Sequence, residues 1–443
     1  MSGLLACALL AGCASYVPRP LHPGRSAAAL QARSLSDPRL LRFLEVEQHR
    51  SAAPRWNLAT LSLVALYERP DLPLAQARLR EARGGEITAS EVPNPTLSIA
   101  PTYDATTGGW KVGPLIDFLI QPYGARRARI ARARARIEEA RQRIAIAAWS
   151  LRGQVRGALL DLWSARAALR LAARSATLAT HYRDTVAQRY RAGMVSASAL
   201  STATLAWQRA ALQRSSARRD LRLARSALAA ALGLPDSALD GVRLDLRGVS
   251  HPRAPGRLQA LVRAALVARP EVLQALAHYA SAQAALRLAV ARQYPWLEIG
   301  PGYHYDQGDH KFIVSISLPL PLLNQNQGPI AQARAARQLA AAEFVATQAR
   351  VLAQIDSARA DWRASQSELA SARRLRSAAA RQLLRQRARY VAGAIGRLRL
   401  LAAELACVQA RQGTLAASLD QRRALGRLEA ALYHPFLVAR RSR

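Results

Sequence analysis

The sequence predicts a mostly α-helical, internally duplicated chain that adds four β-strands to a sheet lying in a membrane. Three observations predict it. Residues recur at a constant offset of 200, two proline-free stretches of more than sixty residues are rich in helix formers, and four segments of about ten residues alternate large apolar with small or polar side chains.

The offset runs through many positions. Leu66, Arg69 and Pro70 align with Leu266, Arg269 and Pro270, and Pro95, Leu97, Ile99, Pro101 and Tyr103 with Pro295, Leu297, Ile299, Pro301 and Tyr303. Gln154 and Asp161 meet Gln354 and Asp361, the chain's two lysines are Lys111 and Lys311, and Gly193 meets Gly393. A register kept over more than 130 residues without a net insertion implies two copies of one unit, 55–250 and 256–433, joined by a Pro- and Gly-containing segment at 251–256.

From the N-terminus, residues 4–10 form an apolar run too short to span a bilayer as a helix, followed by small residues, which is a secretory leader. Leu10-Ala11-Gly12-Cys13 resembles the bacterial lipobox, so 1–12 read as a lipoprotein signal peptide and Cys13 as the lipidated residue. No Arg or Lys precedes the run, and a start upstream of Met1 is expected to supply the basic flank. With Cys7 removed and Cys13 lipidated, Cys407 stands alone and no intrachain disulfide is expected. Residues 13–54 form a Pro-bearing extension.

Within each copy a helix, 70–91 or 270–292, leads into the alternating segments at 95–104, 110–121, 295–306 and 310–321. In the first, Leu97, Ile99 and Tyr103 face one way and Thr96, Ser98 and Thr102 the other. Trp110, Val112, Ile116, Phe118 and Ile120 in the first copy, and Phe312, Val314, Ile316, Leu318 and Leu320 in the second, continue that apolar face. Ten residues is the length of a tilted membrane strand. Four strands cannot close a barrel, and an open edge in lipid leaves backbone groups unpaired at several kcal/mol each, so other subunits must complete the sheet.

Long helices follow at 124–190 and 330–390, each about 100 Å at ~1.5 Å per residue, and must lie side by side as coiled coils. RYRAGMVSASAL at 189–200 and RYVAGAIGRLRL at 389–400 end them at an Ala-Gly pair, where a left-handed glycine reverses the chain into the returning helices 196–232 and 396–432. Ser196 is suited to cap its returning helix, Gly396 less so. Residues 434–443 form a tail.

Composition excludes other classes. Half of the residues are hydrophobic, so the chain is not disordered, and the net charge of +35 is carried almost wholly by arginine spread along the helices. No aromatic-interleaved basic patch or zinc-finger spacing accompanies it, and no nucleic-acid partner is expected. A basic coiled-coil envelope or nucleic-acid-binding protein is the competing reading, and it predicts no barrel. There is no Walker lysine, CxxC or HExxH, and the eight histidines are scattered; no catalytic site, resident metal or cofactor is expected. His304 and His310 near the second hairpin's end read as solvated loop histidines.

Past residue 55 the chain resembles the TolC-type outer-membrane efflux family, on the duplicated unit, the Arg-Pro pairs at 69–70 and 269–270, and the turns YRAGMVS and YVAGAIG. The resemblance implies a homotrimer with a twelve-stranded barrel in the outer-membrane lipid and an α-helical tunnel reaching into the periplasm. It implies docking of a periplasmic adaptor at the helical tips, here Tyr190, Gly193, Ser196, Tyr390, Gly393 and Gly396, and an inner-membrane RND transporter as the driving partner. SISLPLPLLNQNQGPIAQARA at 315–335 is similar to a segment of the heavy-metal branch, which serves cobalt-zinc-cadmium or copper-silver pumps. The family often carries an Asp six residues after the turn glycine, where this chain has Ala199 and Arg399. Arg126, Arg127 and Arg129, just past a strand end, are placed to reach lipid phosphates.

Overall fold

The computed structural model describes residues 15–49, 54–106, 108–250, 258–306 and 308–436. Cys13, the leader and the 251–256 connection lie outside the described residues, as does the tail from 437.

Two short helices, α1 (Pro23–Gln31) and α2 (Pro38–Gln48), precede the first copy. In that copy α3 (Leu58–Glu68) and α4 (Asp71–Ser90) lead to strands β1 (Thr96–Ile99), β2 (Thr102–Asp104), β3 (Gly109–Val112) and β4 (Pro114–Ile120). The rods α5 (Ala125–Arg191) and α6 (Ala197–Leu232) follow. The second copy repeats this plan with α7 (Leu258–Ala268), α8 (Pro270–Ala291), β5 (Leu297–Asp306), β6 (Asp309–Ser317), α9 (Gln327–Val391) and α10 (Arg397–Leu432).

The long helices pack by heptads. The returning helices bury Ala210, Ala217, Ala224 and Ala231 on α6 and Ala410, Ala417, Ala424 and Ala431 on α10, one small residue every seven and each pair 200 apart. On α9 the buried series Val351, Ala358, Ser365 and Ile355, Trp362, Leu369 are two seven-residue ladders interleaved, as the seam of a left-handed coiled coil requires.

Midway along the rods the packing thickens. Leu40 and Leu44 of α2, Leu61 and Val64 of α3, Val155, Leu159 and Leu162 of α5, and Leu228 and Leu232 of α6 form one core. The extension at 13–54 therefore lies outside the repeat in sequence, but its second helix is part of the first copy's core. The second copy has a smaller core around Ile355, Trp362, Leu425 and Leu428.

All strands belong to one antiparallel sheet. β1 and β2 form one line, β3 and β4 a second, and both members of the second line pair with β5, which pairs with β6. Four strand lines result, yet each first-copy line is split where the sequence predicts an unbroken strand. Pro114 pairs opposite Ile99 with Pro101 two residues away, so both lines lose a backbone donor at one level. The second hairpin has only Pro301 there, opposite Val314, and stays continuous. β6 stops at Ser317 rather than 321 because Pro319 and Pro321 cannot donate to a ladder. α9 starts at Gln327 rather than 330, since Pro329 falls in the first turn, where no intrahelical N–H bond is owed.

Candidate functional site

The sheet turns its large apolar side chains outward. Leu97, Ile99, Tyr103, Trp110, Val112, Ile116, Phe118 and Ile120 are exposed, as are Phe312, Val314, Ile316, Leu318 and Leu320. The opposite face is mixed: Leu115, Leu119 and Ile313 share it with Thr96, Ser98, Glu298, Ser315 and Ser317, and the Asp117 carboxylate lies over Gly300, where a Cβ would come within 2.2 Å of its Oδ1. Gly113 is required by its neighbour, because a Cβ there would sit 1.7 Å from the Tyr303 carbonyl oxygen. No described helix is long and apolar enough to cross a membrane, which says nothing of the strands.

At the hairpin ends of the sheet the two lysines meet. Lys111 Nζ lies 3.3 Å from Asp104 and 3.8 Å from Asp306, and Lys311 Nζ lies 2.6 Å from the same Asp306. One carboxylate of the second copy thus receives the equivalent cation of both. The sequence signals the 200-residue spacing but not this convergence. His310 faces Tyr303 rather than a metal-binding set, and no group of three or more ligating side chains gathers among the described residues.

At the far end of the rods the two turns have the same geometry. Gly193 (φ 71°) and Gly393 (φ 70°) are left-handed. Gly193 N donates to the Tyr190 carbonyl at 2.9 Å and Met194 N to Arg189 at 2.8 Å; Gly393 N donates to Tyr390 at 3.0 Å and Ala394 N to Arg389 at 2.8 Å. This pair of bonds is a Schellman closure, which occupies the last carbonyls of each long helix. Ser196 Oγ accepts from Ala199 N at 3.3 Å, the cap expected of it, whereas Gly396 caps α10 without a side chain.

The two tips also touch. The Arg189 guanidinium approaches within 3.0 Å of where a Cβ on Gly396 would stand. Just behind them Leu178 of α5 packs with Leu401 and Val408 of α10. Glu404 takes Arg387 at 3.0 Å and Arg174 at 3.9 Å.

The structure explains the repeated Arg-Pro pairs. Arg69 donates from Nη1 to the Ala230 carbonyl at 3.4 Å and from Nε to Asp71 at 2.8 Å. Arg269 donates to the Ala431 carbonyl at 3.1 Å, to Gln354 at 3.1 Å, and to both oxygens of Glu271. Each cation therefore sits on the C-terminal carbonyls of its copy's returning helix, where the helix dipole is negative. The Arg69 hydrogen bond holds the Asp71 carboxyl below the usual range, while burial raises Glu68 against the opposing pull of Arg33. Arg126 and Arg129 bond the carbonyls of Ser90 and Glu91 at the end of α4, so these two brace the rod against the entering helix.

Sequence reasoning missed a buried ion set between α5 and α10. Glu429 is 1% exposed and lies between Arg152 and Arg156, and a Cβ at Gly426 would collide with Arg156. Burial lowers the Arg156 pKa, with Glu429 opposing. Its only sequence signal is a glycine within a helix.

An apolar-faced open sheet set on two helical hairpins about 100 Å long defines the class: an outer-membrane efflux protein. The chain belongs to the outer membrane efflux protein family, which it matches over residues 61–234 and 261–432. It is 26% identical over 306 residues to the cobalt-zinc-cadmium resistance protein CzcC of Cupriavidus metallidurans, covering 69% of this chain and 72% of that protein. Its fold is that of the outer membrane protein VceC from Vibrio cholerae, with a TM-score of 0.70 at 20% identity, covering 86% of this chain and 96% of the other. CusC superposes with a TM-score of 0.67 at 20% identity over 85% of this chain and 92% of its own.

Proposed function

We propose that three copies of this chain close a twelve-stranded barrel in the outer membrane and form the exit duct of a tripartite efflux pump. The observation that carries the reading is the sheet: four antiparallel lines, apolar outward, with two open edges that lipid cannot satisfy. Pairing the β1–β2 edge of one copy with β6 of the next removes every open edge. The rods of three copies then enclose a periplasmic tunnel, and the paired turns at Gly193 and Gly393 meet an adaptor joined to an inner-membrane RND transporter. Conduction through such a duct is passive and uses no catalytic group. Cys13 carries the lipid, which aids assembly while the strands hold the barrel.

The exported class is heavy-metal cations, supported by the similarity to a cobalt-zinc-cadmium resistance protein and by PLPLLNQNQG at 319–328. A deletion strain tests it: sensitivity to transition metals rises more than sensitivity to organic antibiotics. The reverse ranking contradicts the metal assignment and leaves the duct in place.

A further inference from the structure

The arginines are not evenly matched along the rods. Some nearer the sheet find carboxylates, Arg134 with Glu86, Arg143 with Glu139, Arg423 with Asp161 and Arg427 with Asp361, although 125–137 at the head of α5 hold six arginines and no acid, two of which, Arg126 and Arg129, bond the carbonyls that end α4. On α9 the change falls within one helix. Residues 327–372 hold five arginines and four acids, whereas 373–391 hold seven arginines and no acid. Within twenty residues of the two turning glycines, 173–213 and 373–413, there are fifteen arginines against Asp184 and Glu404.

Both of those acids are already engaged, Asp184 by Arg183 and Glu404 by Arg387 and Arg174. Arg189, Arg191, Arg389, Arg397 and Arg399 make no ion pair with any described residue. Arg397 and Arg399 also occupy the first turn of α10, which has no acid there and whose dipole is itself positive. The Arg189 side chain over Gly396 brings the first copy's charge onto the second copy's turn.

We propose that these five arginines make the tunnel entrance anion-selective, so that free cations are depleted there relative to anions. The inference rests on the exit-duct reading. Clustered like charge around a narrow opening sets a potential that concentrates counter-ions and depletes co-ions, and three copies bring the clusters together. The effect is screened by salt, the Debye length being about 30 Å at 0.01 M and about 10 Å at 0.1 M.

The experiment reconstitutes the full-length protein in planar bilayers and reads the reversal potential in a KCl gradient of about 10 mM against about 100 mM, the range in which screening sets in. A chloride-over-potassium permeability ratio of about 3 or more is expected. Replacing Arg189, Arg191, Arg389, Arg397 and Arg399 together by Gln should bring it to about 1, and replacing the same five by Lys should retain it. Conductance with a ratio at or below unity, or a Gln variant with the parent's ratio, overturns the inference and leaves the duct standing. No conductance from the parent protein removes the duct reading, and the inference with it.

Discussion

The two copies of the repeat differ most where each meets the other and least where each meets itself. Both close their long helices by the same Schellman bonds, both place an arginine on the carbonyls that end the returning helix, and both bury alanine at heptad spacing. Yet position 113 is a glycine pressed against the Tyr303 carbonyl while its counterpart is Ile313, Arg69 is more exposed than Arg269, and Ser196 stands opposite Gly396. The closures of the long helices are kept twice, whereas the joint between units mixes what is kept twice, Lys111 and Lys311 on Asp306, with what exists once, Gly113 against Tyr303.

The largest test of that division is at position 113. Gly113→Ala puts a methyl into a backbone oxygen that cannot move without opening the β3–β5 pairing, and is expected to cost about 3 kcal/mol and most of the heat-resistant oligomer on unheated gels. Ile313→Ala, at the equivalent place on partly exposed β6, should cost about 1 kcal/mol or less. Equal losses at the two sites would break the comparison.

Next come the Arg-Pro arginines. Arg269→Ala leaves Gln354, Glu271 and a helix-end carbonyl without their donor at a buried site, and about 2–3 kcal/mol is expected. Arg69→Ala removes two bonds at a more open site, for about 1 kcal/mol. The Asp71 carboxyl, held low by Arg69, contributes stability that is present above its unfolded pKa and lost as pH falls through its folded value. Thermal midpoints should therefore drop less on acidification in the Arg69→Ala variant than in the parent.

At the tips, a Cβ on Gly193 or Gly393 has open space, so valine there acts through the backbone alone, at about 1–2 kcal/mol each for a left-handed conformation. On the proposed exit-duct reading the double variant keeps its oligomer and barrel and loses metal resistance, because the change is confined to the turns proposed to dock the adaptor. Normal resistance would contradict the adaptor assignment.

The smallest effect separates the two caps. Ser196→Ala is expected to cost about 1 kcal/mol, whereas Gly396→Ser should change stability by a few tenths, since glycine is itself a fair cap and the Arg189 side chain can give way.

These contrasts mark what could be read in the sequence. Gly193 and Gly393 marked the turns, because a left-handed residue ending a long helix leaves a local signature. Outward apolar faces were legible from alternation alone. The broken first-copy lines were not: Pro101 and Pro301 look equivalent, and only the register that sets Pro114 beside Ile99 shows why one hairpin splits. Convergence of Lys111 and Lys311 on Asp306 depends on strand pairing between copies, and the Arg156–Glu429 pair on two helices distant in sequence. Neither has a period to detect. The alanine heptads did have one, masked by an alanine-rich composition.

The central claim, closure of the sheet by neighbouring copies, is tested most directly by disulfide crosslinking between its edges. Within one chain the β1 and β6 edges are separated by three strand spacings, about 14 Å, beyond the reach of a disulfide. Cysteines replacing Leu97 or Ile99 on β1 together with Val314 or Ile316 on β6, in membranes where native Cys407 is buried, can join only if two copies abut. Closure by three copies yields oxidised dimers and trimers and nothing larger. Uncrosslinked monomer for every pairing, or an open ladder beyond three, would contradict it.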